Sequence, residues 1–226
     1  MYKVAEKFVS INGESRRAGE LAVFIRFTGC NLNCTYCDTA WAIPADAPHE
    51  EMSHQALIEY IKETGIDNVT LTGGEPLLQP EIENLVVDII SLNKRVEIET
   101  NGAVSIKSLK ELADKLSLRD ELSITLDYKC PGSGMEEFML MENYDELREY
   151  DTVKFVVSDR KDLDRAREVI EKYKLIDRKV AAYLSPVFGK IEPSEIVEYM
   201  IEHKLNGVTH QLQQHKFIWD PDKRGV

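Results

Sequence analysis

The sequence predicts an α/β protein built on a parallel sheet, and two observations carry that prediction. Six apolar runs with strand character alternate with segments of helical period along the 226 residues. Polar or glycine-rich clusters follow the strands, at the ends where α/β folds bind their ligands. Because β-α units repeat with right-handed crossovers, the sheet is either an open layer or a partial barrel.

Each predicted strand is rich in Val, Ile, Thr or aromatic residues. The strands are LAVFIRF (21–27), NVTLT (68–72), RVEIET (95–100), LSITLDY (122–128), DTVKFVV (151–157) and KVAAYLS (179–185). The clusters that follow them are, in order, TGCNLNC, TGGEP, ETNG, DYKCPGSG, SD and SPVFGK. We therefore expect a functional site at the carboxyl ends of these strands.

Five apolar stripes of helical period lie between the strands. Their members are Ala56, Leu57, Tyr60 and Ile61; Ile82, Leu85, Val86 and Ile89; Leu109, Leu112, Ala113 and Leu116; Leu163, Ala166, Ile170 and Tyr173; and Ile196, Val197, Met200 and Ile201. Pro80 and Pro193 suit first-turn positions, and Ser105 and either Ser158 or Asp159 suit caps.

The length and the 43% apolar content fit one domain over residues 1–226. The net charge of −12 disfavours binding to nucleic acid and to anionic membranes. The opening residues MYKVAEKFVSING lack the apolar block of a signal peptide, and no window reaches the length of a membrane span, so we expect a cytoplasmic protein.

Two segments are irregular, 40–53 and 128–143, and the second is typical of an active-site loop. The polar and aromatic stretch GVTHQLQQHKFIWDPDKRGV (207–226) ends the chain without a helical period. We expect it to pack back onto the domain, because disordered tails seldom carry such aromatic residues.

Three of the four cysteines, Cys30, Cys34 and Cys37, lie in a C-x3-C-x2-C pattern directly after the first strand. Three thiolates on a four-iron cubane leave one iron open to a small molecule, whereas electron-transfer clusters normally use four cysteines. A structural zinc site needs four ligands, and neither His49 nor His54 has a usual zinc-finger spacing.

Two other interpretations of these cysteines are weaker. A thioredoxin-type pair of Cys34 and Cys37 leaves Cys30 without a role, and three unrelated buried thiols are not expected on a polar loop. The fourth cysteine, Cys130, is far along the chain and is expected to be a small packed thiol.

The stretch GCNLNCTYCDT (29–39) resembles the cluster loop of the radical S-adenosylmethionine (SAM) superfamily, and TGGEP (72–76) resembles its second motif. The resemblance implies a partial (β/α)6 barrel with the cluster loop after the first barrel strand. It also implies a [4Fe–4S] cluster on the three cysteines and SAM on the open iron. Glycine suits positions 73 and 74, because backbone must approach the ligand closely there.

A longer set of motifs resembles the 7-carboxy-7-deazaguanine synthase family. The motifs are INGES (11–15), FIRFTGC (24–30), CDT (37–39), TGGEP, ETNG (99–102), VKFVVSD (153–159), QQHKFIW (213–219) and the final KRGV. The resemblance implies a lyase that converts 6-carboxy-5,6,7,8-tetrahydropterin to 7-carboxy-7-deazaguanine with loss of ammonia. In that chemistry a 5′-deoxyadenosyl radical takes hydrogen from C6 of the pterin and later receives it back.

Thr39 matches a family threonine whose hydroxyl binds a magnesium ion that also holds the substrate carboxylate. A hard cation with few protein oxygens and a substrate ligand is usual for Mg²⁺. Without the resemblance, Thr39 reads as a capping hydroxyl where the loop ends.

The resemblance also assigns residues to the cofactor and the substrate. SAM contacts are implied for Tyr36, Asp38, Gly73, Gly74, Glu99, Thr100, Asn101, Lys129, Lys154 and Ser158. Substrate contacts are implied for Ile11, Asn12, Gly13, Glu14, Arg26, Thr72, Gln213, His215 and Val226. Many relatives have Gln-Gly-Glu-Gly where this chain has residues 12–15, and a Ser-Pro-Lys segment where it has 127–129.

Simpler roles compete for three of these residues. Glu14 could be a solvated surface carboxylate, and Thr72 could be an ordinary strand end. Arg26 lies inside an apolar strand, where its charge needs either the substrate carboxylate or an ion pair with Glu75 or Glu99.

Two other functions compete with the lyase. A glycyl-radical-enzyme activase would share the cluster and SAM but act on a protein, and it would lack the Thr39 context and the QQHKFIW ending. A non-catalytic iron or zinc module would lack the TGGEP and ETNG strand ends. The resemblance further implies a homodimer and an external, flavodoxin-like electron donor.

Overall fold

The structure is a computed structural model that describes residues 1–221 and 223–226. Within these residues, nine strands belong to one sheet. The strands are β1 (Tyr2–Ile11), β2 (Leu21–Phe27), β3 (Glu50–Met52), β4 (Asn68–Gly73), β5 (Arg95–Thr100), β6 (Leu122–Tyr128), β7 (Thr152–Val157), β8 (Ala181–Pro186) and β9 (Val208–His210). All six predicted strands are confirmed, each within two residues of its predicted ends.

The helices fall between the strands as the apolar stripes predict. They are α1 (His54–Thr64), α2 (Ile82–Ser91), α3 (Lys107–Lys115), α4 (Asn143–Glu146), α5 (Arg160–Lys172), α6 (Pro193–Glu202) and α7 (His215–Ile218). Short 3-10 turns cover Ala40–Ala42, Pro76–Leu78, Pro131–Ser133 and Glu136–Phe138. None of the described helices combines the length and hydropathy that spanning a bilayer requires.

The sheet order is β3-β1-β2-β4-β5-β6-β7-β8-β9. Strands β2 and β4 to β9 pair in parallel, while β1 is antiparallel to β2 and to β3. The edges formed by β3 and β9 do not pair with each other, so the sheet is an open, partial barrel. The predicted partial (β/α)6 barrel is confirmed, with β2 as its first strand, and one short parallel strand is added at the end.

The two faces of the sheet differ because successive strand residues point to opposite sides. Apolar residues of the parallel strands, such as Ile25, Leu71, Ile98 and Phe155, join the buried core. On the opposite face lies a row of polar residues in neighbouring strands, with Arg26 in register with Thr72, Glu99 with Thr125, and Asp127 with Lys154. This polar face leads to the carboxyl ends of the strands.

The helix ends test the predicted caps and the predicted first-turn prolines. Pro193 is in the first turn of α6 and the Asp159 side chain caps α5 by accepting from Asp162 N, as predicted. The Ser105 hydroxyl accepts from Lys107 N at 3.3 Å, but the N-cap residue of α3 is Ile106, so the cap predicted at Ser105 is wrong by one residue. Pro80 is not a first-turn residue, because α2 begins only at Ile82 after Glu81 in a left-handed conformation.

The α6 stripe is only partly buried. Ile196 and Tyr199 pack into the core, whereas Val197 and Ile201 are exposed. The core-facing side of α6 is thus formed by Ile196, Tyr199 and Met200, which share one helix face because they are three and four residues apart.

Candidate active site

One cavity of about 480 Å³ lies at the carboxyl ends of the parallel strands. Every predicted site residue lines it except Asn12 and Ser158. The cluster loop, the TGGEP turn, the ETNG strand end, the segment 11–14 and the C-terminal residues meet there. Five of the six predicted strand-end clusters therefore contribute residues to this cavity, and only the SD cluster (158–159) does not. The roles of the individual residues stay predictions.

Cys30, Cys34 and Cys37 lie half-buried on one wall of this cavity. Cys30 Sγ accepts from Leu32 N at 3.4 Å and from Asn101 Nδ2 at 3.5 Å. Burial raises the pKa of the Cys34 thiol to about 11, because the apolar surroundings disfavour a bare thiolate. A bound cation is what would hold such thiols in their ionised form.

No set of three or more His, Cys, Asp or Glu side chains in the described part of the chain converges as ligands of one metal ion. Of the two histidines considered for zinc, His54 lies beside Asp88 with Nε2 and Oδ2 2.7 Å apart, and His49 lies 2.6 Å from Ala47 O. Neither histidine lines the cavity.

The cluster loop is held in place by the loop after β6 and by β7. Thr35 donates its backbone N–H to Ser133 O at 3.0 Å and its hydroxyl to Gly132 O at 2.8 Å. Tyr36 OH donates to Val156 O at 3.1 Å, at the end of β7. These contacts position the part of the loop between Cys34 and Cys37.

The two glycines of TGGEP lie against the backbone at the end of β2 and in the cluster loop that follows it. A Cβ at Gly73 would lie 2.3 Å from the backbone of Phe27, and one at Gly74 would lie 1.9 Å from Gly29 O. Gly73 also has a φ of +130°, a region that favours glycine. Protein backbone therefore requires both glycines, the end of β2 at Gly73 and the cluster loop at Gly74, while their contact with a ligand stays a prediction.

Glu75, in the same motif, is fully buried and joins two strand ends. Its carboxylate accepts from Leu77 N at 3.0 Å, Thr100 Oγ1 at 2.9 Å and Asn101 N at 2.7 Å. Burial raises its pKa to about 7, although these hydrogen bonds lower it. Glu75 therefore places the ETNG residues beside the cluster loop.

A group of buried charges lines another part of the cavity. Lys154 Nζ lies 3.2 Å from Glu14 Oε2 and 3.9 Å from Asp127 Oδ2, and Lys129 Nζ lies 2.7 Å from the same Asp127 oxygen. Gln213 Nε2 also donates to Glu14 Oε2, at 3.1 Å. Burial lowers the pKa of Lys154, but Glu14 and Asp127 raise it well above its usual value. The solvated interpretation of Glu14 is wrong, because only 10% of its side chain is exposed.

Two oxygens of this group, Glu14 Oε1 and Asp127 Oδ1, are buried without a hydrogen-bond partner in the part of the chain that the structure describes. Buried acceptors are rarely left unpaired in a finished fold. These two atoms lie in cavity-lining residues and can accept hydrogen bonds from a bound ligand.

Arg26 pairs with Glu6 of β1, Nε to Oε2 at 3.3 Å, and not with Glu75 or Glu99. The competing interpretation is thus right that Arg26 forms an ion pair but wrong about the partner. β1 was not predicted as a strand, and its antiparallel register places Glu6 opposite Arg26.

Asp38 lines the cavity near several cationic side chains. Burial raises its pKa, but Lys216, Arg26, Lys154 and Lys129 together lower it below the usual range. Lys216 was missed by the sequence analysis, although it stands within the QQHKFIW motif. The site therefore offers a carboxylate that stays ionised.

The N-terminal segment around Gly13 packs against the C-terminal stretch beside the cavity. Gln214 N donates to Gly13 O at 3.0 Å, and a Cβ at Gly13 would lie 2.4 Å from His215 Nδ1. Arg224 stacks on Trp41 at 4.1 Å from the ring centroid, and Val226 lines the cavity. The expectation that the C-terminal stretch packs back is confirmed for these residues.

Three predicted residues lie behind the wall. Asn12 is buried and its Oδ1 accepts from Thr70 Oγ1 at 2.9 Å. Ser158 donates from both N and Oγ to Asp162, at 2.8 and 2.7 Å. Cys130 is fully buried and packed, as expected.

Residues 24–128 match the Radical SAM superfamily. The full chain is 52% identical to a 7-carboxy-7-deazaguanine synthase of Clostridium acetobutylicum, over 100% of this chain and 99% of the relative. The chain belongs to the 7-carboxy-7-deazaguanine synthase family. A second synthase of this family, from Leptospira interrogans, is 35% identical over 99% of this chain and 97% of its own.

Two solved structures share the fold of this chain. QueE from Escherichia coli has a TM-score of 0.72 at 21% identity, over 95% of this chain and 94% of that one. SuiB from Streptococcus suis, bound to its precursor peptide SuiA, has a TM-score of 0.59 at 15% identity, over 81% of this chain and 47% of that one.

Radical SAM membership implies a [4Fe–4S] cluster and SAM, and the residues present fit both groups. Three thiols line one wall, each able to bind a different iron, and the Leu32 and Asn101 N–H groups donate to Cys30 Sγ as they would to a thiolate. The backbone of the TGGEP turn and the ETNG residues line the cavity beside them.

Proposed function

We propose that this chain is a carbon–nitrogen lyase that converts 6-carboxy-5,6,7,8-tetrahydropterin to 7-carboxy-7-deazaguanine with loss of ammonia, a step toward queuosine-type 7-deazapurines. The observation that carries the proposal is the meeting of a three-cysteine wall and a paired-charge wall in one cavity. Full-length similarity to synthases of this name supports the lyase over the activase.

The bound cluster and SAM would supply the 5′-deoxyadenosyl radical that begins the reaction. The chain's own residues bind and orient: Cys30, Cys34 and Cys37 would hold the cluster, and Glu99, Thr100 and Asn101 would bind SAM at the end of β5. Tyr36, Asp38, Gly73, Gly74, Lys129 and Lys154 complete the proposed SAM site. Ser158 does not line the cavity and would contribute to the SAM site indirectly, through its hydrogen bond to Asp162.

We propose that Thr39 and the pterin carboxylate hold Mg²⁺. Thr39 Oγ1 lies in the cavity wall, 3.4 Å from Asp38 Oδ1 and 3.7 Å from Cys37 Sγ. A hydroxyl and an ionised carboxylate supply oxygen ligands of the kind that Mg²⁺ binds. The capping role is not supported, because the Thr39 side chain makes no cap hydrogen bond to the turn that follows it.

The charged wall suits the polar edges of a pterin. Glu14 Oε1 can accept from the N–H donors of the pyrimidine edge, since it has no other partner in the described residues. Arg26 would pair with the substrate carboxylate, and Ile11, Gly13, Thr72, Gln213, His215 and Val226 would close around the ring. Asn12 would support this segment from below.

Further parts of the proposal rest on the family resemblance and on composition. We propose one domain over 1–226, with an N-terminal substrate-contact segment and a C-terminal closing segment, that works as a cytoplasmic homodimer. The single sheet and shared core support one domain. An external, flavodoxin-like protein would donate the electron, and the net charge of −12 supports the absence of nucleic-acid and membrane partners.

The test is the product mass after anaerobic reconstitution with iron and sulfide and addition of reductant, SAM, Mg²⁺ and the pterin. We expect a product lighter than the substrate by one ammonia. Cys30→Ala should abolish both the iron content and the product. Cys130→Ala is the matched control, since that thiol lies outside the cavity, and should keep the iron.

Thr39→Ala should weaken product formation, and Thr39→Ser should restore most of it by keeping the hydroxyl. SAM cleavage with an unchanged pterin would overturn the substrate assignment and favour the activase. Metal binding with no SAM cleavage would favour the non-catalytic module.

A further inference from the structure

Ser15 follows the proposed substrate-contact segment 11–14 and is almost fully buried, with 4% of its surface exposed. Its φ is +70°, in the left-handed region that residues with a side chain rarely adopt. Such a conformation persists only where the surroundings hold it. The contacts of Ser15 therefore identify what anchors the segment.

Gln211 holds the backbone of Ser15 with both polar atoms of its side chain. Ser15 N donates to Gln211 Oε1 at 2.6 Å, and Gln211 Nε2 donates to Ser15 O at 2.9 Å. Gln211 is tied to the sheet in turn, since its backbone N donates to Leu184 O at 3.0 Å. The Gln211 side chain thus satisfies both backbone polar groups of Ser15, as a paired strand would, and it does not line the cavity.

The hydroxyl of Ser15 contacts a residue of strand β6. Ser15 Oγ lies 2.8 Å from Thr125 Oγ1, which donates to Glu97 Oε1 at 2.5 Å. Glu97 is only 5% exposed and has no ion pair among the described residues. A buried carboxyl without a cation needs such hydroxyl donors, so the three groups stabilise one another.

We propose that Gln211 and Glu97 are positioning residues that hold segment 11–14 against the pterin through Ser15. Gly13 and Glu14 line the cavity directly before this anchor, so a shift of Ser15 moves both. The proposal rests on the proposed function for the identity of the substrate, whereas the anchor belongs to the chain itself.

The kinetic test uses the reconstituted enzyme with Gln211→Ala. Two neutral hydrogen bonds are lost, so we expect KM for the pterin to rise roughly tenfold while kcat stays within about twofold. Iron per chain and SAM cleavage without pterin should not change. Gln55→Ala is the matched control, because Gln55 is exposed and bonds only Glu59 in the described residues.

Glu97 is tested by a conservative pair. Glu97→Gln keeps an oxygen that accepts from Thr125 and should retain a KM near that of the wild type, whereas Glu97→Leu should raise KM as Gln211→Ala does. An unchanged KM in both Gln211→Ala and Glu97→Leu, or a fall in kcat with KM unchanged, would overturn the proposal.

Hydrogen exchange of the metal-free chain gives a readout that needs no activity. Gln211→Ala should speed exchange in a peptide covering 12–20 and leave a peptide covering 68–73 unchanged. Equal exchange in the variant and the wild type would overturn the anchor. If the wild type forms no pterin product, the proposed function fails, and exchange still decides whether Gln211 anchors Ser15.

Discussion

Two buried lysine–carboxylate pairs lie in different surroundings, Lys110–Asp151 just before the amino end of β7 and Lys154–Glu14 in the cavity. The Asp151 carboxylate is fully used, because it accepts from Lys110 Nζ at 2.5 and 2.6 Å, from Ile124 N at 2.9 Å and from Arg148 N at 2.7 Å. The cavity pair is incomplete, since Glu14 Oε1 lacks a partner in the residues that the structure describes.

The difference separates two uses of the same chemistry. A completed buried ion pair contributes to the fold and is costly to break. An incomplete one beside a cavity keeps hydrogen-bonding capacity for a ligand. The following predictions test whether this distinction holds, from the largest expected effect to the smallest.

Lys110→Met removes the cation of the completed pair while keeping most of the side-chain volume. Asp151 then stays buried without its charge partner, which costs about 3–5 kcal/mol of unfolding free energy. Urea unfolding measures this change, and the iron content of the folded fraction should stay at the wild-type level. A loss below 1 kcal/mol, on the order of a surface pair, would remove the distinction.

Glu97 is a buried carboxyl that forms no ion pair among the described residues. Burial, with Glu99 nearby, raises its pKa from 4.5 to about 7, although Ser15, Thr125 and Arg17 lower it. The folded chain therefore binds this proton more tightly than the unfolded chain, so the stabilisation is present below pH 4.5 and is lost as pH rises toward 7. The shift corresponds to about 3 kcal/mol.

The measurement is urea unfolding at several pH values between 4.5 and 7.5. Glu75 has the same raised pKa and the same sign, so Glu97→Gln should remove about half of the combined decline, as expected for two similar shifts. A decline of equal size in the variant would show that Glu97 does not titrate in this range.

Lys154→Met breaks the incomplete pair. We expect kcat/KM for the pterin to fall about 10- to 100-fold, because charged hydrogen bonds in the cavity are lost. Unfolding free energy should change less than in Lys110→Met, since cavity water can reach the freed carboxylates. A larger stability loss than in Lys110→Met would contradict the assignment of Lys154 to the site.

Arg160→Ala removes an exposed pair in which Arg160 Nη2 lies 2.8 Å from Glu202 Oε2. We expect no measurable shift of the urea midpoint, because water replaces the contact. The variant shows whether the effect of Lys110→Met comes from burial or from the mere loss of a lysine or arginine charge.

The sequence was sufficient for the parallel strands and their helices, because each follows from a local period. It was insufficient for β1, β3 and β9, which are stabilised mainly by pairing with neighbours and carry weaker patterns of their own. Missing β1 also meant missing Glu6, the partner of Arg26. Asp127 was not predicted as a site residue, although it lies two residues after Thr125 on the side of β6 that faces the cavity.

The sequence by itself determined the order of the elements, the three-cysteine loop and the set of polar strand ends, because spacing along the chain decides all three. Only the tertiary structure decided which charges are paired, which acceptors remain open and how the termini meet. Glu14 and Gln213 are 199 residues apart in the sequence and form a hydrogen bond in the lining of the cavity. Such contacts depend on strand register and chain closure, which no local pattern encodes.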